Sequence, residues 1–242
     1  MKVGILQCGA PPAALLDQYG SYGAMVERLV RAGRHTSIYD VTAGTLPARA
    51  EACDAYMITG SPAGVYDDLP WIAGLIGFLA HARGRAKLVG ICFGHQAMAQ
   101  AFGGTVIKSP KGWGIGLHRY DVKDRAPWMD DVAHVDIPAS HQDQVVTAPP
   151  GARVTLTSAF TPYAGLDYGD AISFQAHPEF GCDFATALIT ARRDVYGPQS
   201  EPAISSYAAP DDCARVAGWI GRFLDARTAE PSPPDAARRH AR

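Results

Sequence analysis

The chain has 242 residues, of which 47% are apolar and 19% charged, and its formal net charge is -2. That length suffices for one large α/β domain with a substantial core, and the composition excludes a disordered chain or a fibrous repeat. The scattered Lys and Arg residues leave no basic footprint for nucleic acid, and no apolar run reaches the roughly eighteen residues that span a bilayer.

Residues 2–7 (KVGILQ) form an apolar, β-branched run that reads as a buried strand. The start, MKVGILQCGAPP, lacks the long apolar core and cleavage site of a signal peptide, so a cytoplasmic location is the expectation. A turn at Pro11-Pro12 leads into a helical pattern ending near Gly33. HTSIYD at 35–40 and AYMIT at 55–59 read as further strands, the second running into the turn Gly60-Ser61-Pro62. Leu69 to Arg83 is helical by periodicity, with Trp71, Leu75, Phe78 and Leu79 on one face and Gly84 placed to stop it.

KLVGI at 87–91 is a short continuous apolar strand, and Phe93 to Phe102 forms a helix closed by Gly103-Gly104. Strands separated by helices of this length predict a parallel sheet covered on both faces, with functional groups gathered at the carboxyl ends of its strands. Cys92 sits at such an end. From Thr105 to Ala176 the texture changes to short segments (TVIKS, IGLHRYDV, RVTLTS, AISFQA) that predict an antiparallel extension of the same sheet. Helical patterns return at about 183–194 and 211–227. One domain over 1–228 is expected, with no internal repeat, and the Pro-rich, charged stretch 229–242 is expected to be a flexible tail.

The five cysteines (Cys8, Cys53, Cys92, Cys182, Cys213) are odd in number and widely spaced, which predicts reduced thiols rather than a disulfide framework or zinc site. Four of them read as small buried hydrophobes. His81, His95, His118, His134 and His141 show no metal-ligand spacing, so no metal is expected.

Cys92 differs because it lies in Gly90-Ile91-Cys92-Phe93-Gly94-His95-Gln96, a G-x-C-x-G-x-Q arrangement at a strand-to-helix turn. The glycines permit a tight, strained bend that projects the nucleophile, and the adjacent helix N-terminus favours thiolate over thiol. Alone, this turn also suits a buried cysteine. A partner is supplied by Phe174-Gln175-Ala176-His177-Pro178-Glu179, directly after a strand. His177 can take a proton from the thiol and return it to a departing amine, and Glu179, two residues along an extended segment, can orient the ring.

The elbow followed by H-P-E resembles the class I, or triad, glutamine amidotransferases, over about residues 1–225. That resemblance implies a flavodoxin-like three-layer α/β fold, with a central mostly parallel sheet and an antiparallel extension, and a catalytic triad of Cys92, His177 and Glu179. Thr59-Gly60-Ser61-Pro62 stands where the family carries a Gly-Gly-Pro-type loop, with Ser61 in place of the usual second glycine. The backbone N–H groups of Gly60, Ser61 and Phe93 would then form an oxyanion hole. Ser140-His141-Gln142-Asp143 resembles the family's S-H-x-D loop, which with Gln96 would hold the amino-acid end of glutamine, Asp143 facing the ammonium.

The implied activity is hydrolysis of the γ-amide of glutamine or a γ-glutamyl compound through a thioester on Cys92, releasing ammonia or an amine without a cofactor. The sequence has no G-x-x-x-x-G-K-[ST] loop and no SGGxDS-type motif to activate an acceptor with ATP. Either a separate synthase subunit receives the ammonia, or the protein is a stand-alone γ-glutamyl peptide hydrolase. The segments Ser109-Pro110-Lys111-Gly112-Trp113-Gly114 and SHQDQV look like the stand-alone, GMP-synthase-like members, which include γ-glutamyl peptidases. A non-catalytic binding or regulatory module on the same fold and a redox-active lone thiol are the competing classes; the intact Cys92, His177 and Glu179 argue against the first, and the second gives the H-P-E segment no role.

Overall fold

The structure is a computed structural model that describes residues 1–226; the tail expected over 229–242 lies outside the described residues. Strand β1 (Lys2–Gln7) buries its central residues completely. Its alternating side chains feed two cores, Val3 and Ile5 on one face and Leu6 on the other. The helical pattern that follows is divided into α1 (Ala13–Tyr19) and α2 (Tyr22–Val30). Gly20 ends the first with φ +80°, and the Ser21 hydroxyl caps the second by accepting from the Ala24 N–H at 3.2 Å.

Next come the largely exposed edge strand β2 (His35–Asp40), the buried β3 (Ala55–Ile58) and α3 (Pro70–Ala82), whose proline occupies the first turn, where its missing N–H is harmless. The buried stripe of α3 is Ile72, Leu75, Leu79 and Ala82, so the expected face is rotated and Trp71 and Phe78 sit at its margin. Strand β4 (Lys87–Ile91), buried throughout, leads into α4 (Phe93–Ala101).

The region beyond α4 departs from the expected extension. Strand β5 (Thr105–Lys108) leaves the main sheet, while β6 (Gly114–Val122) and β7 (His134–His141) form a long antiparallel pair. Strand β8 (Asp143–Thr147) pairs with β5 in a separate two-stranded sheet, and β9 (Arg153–Thr157), β10 (Gly165–Asp167) and β11 (Ala171–Phe174) return to the main one. Its order is β2-β1-β3-β4-β11-β10-β9-β6-β7. The antiparallel extension is therefore β10-β9-β6-β7, whereas β11 lies parallel to β4, with Phe174 opposite Ile91. Both strands are buried on both faces, and a short apolar run of this kind carries no mark of strand direction.

The predicted helix at 183–194 is α5 (Cys182–Ala191) followed by the single turn α6 (Arg193–Tyr196). An unanticipated α7 (Ser200–Ser206) packs on β6, where the Leu117 N–H donates to the Ser206 hydroxyl at 2.8 Å. Gly116 makes this approach feasible: it has φ +93°, and a Cβ there would meet the Ala203 Cα at 2.9 Å. Helix α8 (Cys213–Asp225) lays Val216, Trp219, Ile220 and Phe223 on the same face of the sheet as α2, while α3 and α4 cover the other, giving three layers. Among the described residues no helix is long and apolar enough to cross a membrane.

Lys87, at the start of β4, is buried and donates to the carbonyls of Phe223 at 2.7 Å and Leu224 at 3.0 Å, and to that of Ala226. Its ammonium thereby caps the C-terminal end of α8 and ties the helix to the sheet. Lys87→Met is expected to lower stability by about 1–3 kcal/mol, the penalty for stranding carbonyls that are partly shielded from water. A urea melt would show it as a lower midpoint at constant slope; an unmoved midpoint would remove the cap from the stability argument.

Candidate active site

Cys92 joins β4 to α4 with φ 51° and ψ -101°, and among the described residues no other non-glycine has positive φ. A side-chain-bearing residue in that region is strained and is held there by its surroundings. Two glycines make the bend sterically feasible. A Cβ on Gly90 would lie 2.5 Å from the Gly94 carbonyl oxygen, and one on Gly94 would collide with the Ile58 carbonyl of β3. The Gly94 N–H donates to Thr59 O at 3.2 Å, and the Cys92 N–H donates to Phe174 O, at the end of β11, at 2.8 Å.

The β11 strand therefore delivers His177 to the sheet end that carries Cys92. The His177 N–H donates to Pro138 O at 2.9 Å, and its ring lies flat on Phe180, 4.0 Å between centroids at 7°. Nδ1 is 2.8 Å from Glu179 Oε1, with the two side chains 5% and 1% exposed. Burial is the largest single influence and opposes charge on the ring. The Glu179 carboxylate and the Cys92 sulfur together outweigh it and push the His177 pKa up to about 10. Gly60 closes one side: a Cβ there would be 3.1 Å from His177 Cε1 and 3.9 Å from Cys92 Cβ.

Cys92 Sγ accepts from Gln175 Nε2 at 3.6 Å and lies 4.0 Å from Ser140 O, and it also interacts with the His177 side chain. The Gly60 and Ser61 N–H groups have no protein acceptor among the described residues. Phe93, first residue of α4, has an N–H that the helix itself cannot satisfy.

A cavity of about 300 Å³ opens beside the sulfur and brings together Ser61, Cys92, Gln96, Ser140, His141, Gln142 and Asp143. Gln96 donates from Nε2 to Asp143 O at 2.9 Å and to Gln175 Oε1 at 3.3 Å, so its amide is fixed between two loops. The Asp143 carboxylate accepts from the Tyr66 hydroxyl at 2.8 Å, and burial raises its pKa above the ordinary carboxylate value. His141 is buried, approaches Asp143 O through Nδ1 at 3.2 Å, and is held neutral by burial, which lowers its pKa to about 3. The Ser140 hydroxyl lies 3.4 Å from that of Tyr196, and Gln142 O accepts from the Ser109 N–H at 3.3 Å.

Sequence reasoning missed several residues at this site. Gln175 is fully buried against the sulfur, a position that strand alternation next to H-P-E could have flagged. Tyr66, Asp67, Lys108, Trp113 and Arg192 also line the cavity, and they come from separate loops and strands that no local pattern connects. Among the described residues no group of three or more His, Cys, Asp or Glu is placed to hold a metal. His95 is buried beside the Ser173 hydroxyl at 2.8 Å, and burial lowers its pKa to about 3. Cys8 and Cys53 are the buried small residues expected, but Cys182 and Cys213 are only half-buried, because α5 and α8 turn their first residues toward the surface.

Comparison with known proteins gives a consistent result. The family model for glutamine amidotransferase class-I matches residues 14–190. A glutamine amidotransferase-like protein of Schizosaccharomyces pombe is 28% identical over 92% of this chain and 98% of its own length. Gamma-glutamyl peptidase 3 of Arabidopsis thaliana is 30% identical over 71% of this chain and 74% of its own. The GMP synthase of a Parafrankia strain is 32% identical over 71% of this chain, which spans only 32% of that longer protein. In structure, a glutamine amidotransferase from Thermotoga maritima superposes with a TM-score of 0.77 at 17% identity, covering 93% of this chain and 99% of that one.

The raised pKa of His177 carries a stability consequence with a definite sign. A folded-state value of about 10, against 6.5 for the free side chain, stabilises the fold fully below pH 6.5, and that contribution is lost as pH rises through about 10. Glu179→Gln removes the carboxylate that helps sustain the charge. The gap in unfolding free energy between wild type and Glu179→Gln is therefore expected to narrow between pH about 6.5 and about 10. Parallel curves across that range, from denaturant melts at stepped pH, would mean the pair does not hold the proton.

Proposed function

This chain is an enzyme of the class-I glutamine amidotransferase family, and on that premise we propose that it hydrolyses the γ-amide bond of glutamine or a γ-glutamyl compound with Cys92 as nucleophile. The observation that carries the reading is a strained cysteine at a strand-to-helix elbow beside a buried His–Glu pair, facing a cavity of substrate size.

Cys92 attacks the γ-carbonyl as thiolate, with its proton on His177. The ring then protonates the departing nitrogen, and water, deprotonated by the same ring, hydrolyses the γ-glutamyl thioester to glutamate and free thiol. Glu179 fixes the ring through Nδ1, leaving Nε2 for this proton traffic. The N–H groups of Phe93, Gly60 and Ser61 receive the oxyanion, a contribution on the order of 100-fold or more in rate. Ser140, His141, Gln142, Asp143 and Gln96 hold the amino-acid end of the substrate, Asp143 with Tyr66 receiving the ammonium.

Similarity to γ-glutamyl peptidases along most of their length favours a stand-alone hydrolase. The second reading, a glutaminase that hands ammonia to a separate synthase, rests on similarity to the amidotransferase part of GMP synthase. Relative kcat/KM on glutamine and on a γ-glutamyl dipeptide separates the two, a peptidase preferring the dipeptide.

Glutamate release from these substrates should fall at least about 1,000-fold in Cys92→Ala. An electrophilic glutamine analogue should label the wild type at Cys92 and leave the variant unlabelled. A wild-type rate no higher than that of Cys92→Ala across a γ-glutamyl panel, with no labelling, would sink the assignment.

A further inference from the structure

Hydrolysis of a γ-amide leaves the nature of the departing amine open, and one wall of the cavity bears on it. Arg192 caps α5 and lines the Cys92 cavity together with Trp113. Its backbone is pinned: the N–H donates to Ile189 O at 3.1 Å, and its carbonyl accepts from the N–H groups of Val195 at 3.0 Å and Tyr196 at 3.1 Å. The next residue, Arg193, pairs with Glu201 at 2.6 Å, whereas the Arg192 guanidinium has no carboxylate or carbonyl partner among the described residues. A half-buried guanidinium with vacant donors beside a nucleophile is suited to a planar anion.

The cavity has two ends. At one, Tyr66, Asp67 and Lys108 surround Asp143, and Lys108 acts electrostatically on its carboxylate. The other flank is that of His177: its ring stacks on Phe180, Phe180 packs on Tyr22, and Arg192 acts on the Tyr22 hydroxyl along with Cys92, Tyr196 and Glu179. Trp113 joins this flank by packing edge-on against Tyr196 at 5.1 Å.

The chemistry orients the substrate across these ends. The departing nitrogen must face His177 to receive its proton, so whatever it carries continues toward that flank, while the glutamyl ammonium and carboxylate fit the Asp143 and Lys108 end. Resting on the hydrolase reading above, we infer that the substrate is a γ-glutamyl amino acid or peptide whose departing amine bears a free carboxylate, bound by Arg192. The γ-carbon–nitrogen bond breaks as the thioester forms, the proton from His177 completes the amine of the released amino acid, and water adds to the thioester. The sum is γ-glutamyl amino acid plus water giving glutamate plus amino acid.

The experiment compares γ-glutamyl-alanine with γ-glutamyl-alaninamide, near-isosteres whose leaving groups end in a carboxylate and a neutral amide, and the change in their ratio in Arg192 variants isolates the contact from the difference in amine basicity. Wild type should favour the acid by about tenfold or more in kcat/KM, as expected for a charge-assisted contact. That ratio should fall to near one in Arg192→Met and be partly retained in Arg192→Lys. No preference in wild type, an unchanged ratio in Arg192→Met, or an equal loss on both substrates would overturn the assignment. Calorimetric binding of the same two dipeptides to Cys92→Ala separates this from the activity itself. Preferential binding of the acid that Arg192→Met abolishes in that background keeps the carboxylate site even if no hydrolysis is seen; no preference there, with no hydrolysis, overturns both.

Discussion

The parallel pairing of β4 with β11 fixes almost everything at this site. Ala171 to Phe174 lie against Leu88 to Ile91, and the ladder ends in the hydrogen bond from the Cys92 N–H to Phe174 O. A slip of one residue would turn the side chains of β11 to the opposite face and carry Gln175 and His177 away from the sulfur. Register is secured because both strands are buried on both faces, so misalignment would disturb two cores at once. Distant segments of the chain thus meet at the carboxyl end of the sheet as a consequence of core packing.

Given that register, the elbow is over-determined. A positive φ at a cysteine costs about 1–3 kcal/mol, and the chain has local means to relax it only if α4 can move. It cannot easily do so: Gly90 and Gly94 allow α4 to sit so close to β3 and β4 that their backbones touch, and Phe93, Ala97 and Met98 are buried in the sheet core. The buried His177–Glu179 pair is retained by the same logic. Its desolvation is offset by the mutual attraction and by the sulfur, and one carboxylate oxygen of Glu179 has no hydrogen-bond partner among the described residues. Removing either partner would leave a buried, uncompensated charge.

The sequence made the parallel core legible because β1, β3 and β4 are short apolar runs bounded by turn residues, and the elbow legible because glycines flank a cysteine at a strand end. Gly20 and Ser21, which split the first helix, carry a stop and a cap signal that a single periodic pattern overrode. The direction of β11 and the departure of β5 into a second sheet were hidden, since neither leaves a trace in hydrophobic pattern. Within the site, the elbow, the H-P-E segment and the S-H-x-D loop could be read as local strings. Gln175 lies in step with H-P-E, but its bridge from Gln96 to the sulfur, and the presence of Tyr66, Lys108 and Arg192, arise from tertiary packing.

That division has a physical basis that bears on specificity. Residues proposed for the bond-breaking step sit where the backbone itself is constrained, at strand ends and between glycines, so they appear as motifs. In the proposed reading, Arg192, which meets the variable departing amine, sits on a connection that tolerates change, between α5 and α6, whereas Tyr66, between β3 and α3, and Lys108, at the end of β5, face the constant glutamyl end. Gln96 links the two sets, donating both to Gln175 behind the sulfur and to Asp143 at the cavity wall. On the proposed reading, a change around Arg192 can therefore alter which amine is accepted without disturbing the register that positions Cys92, because that register is held by the sheet and by α4 rather than by the loops.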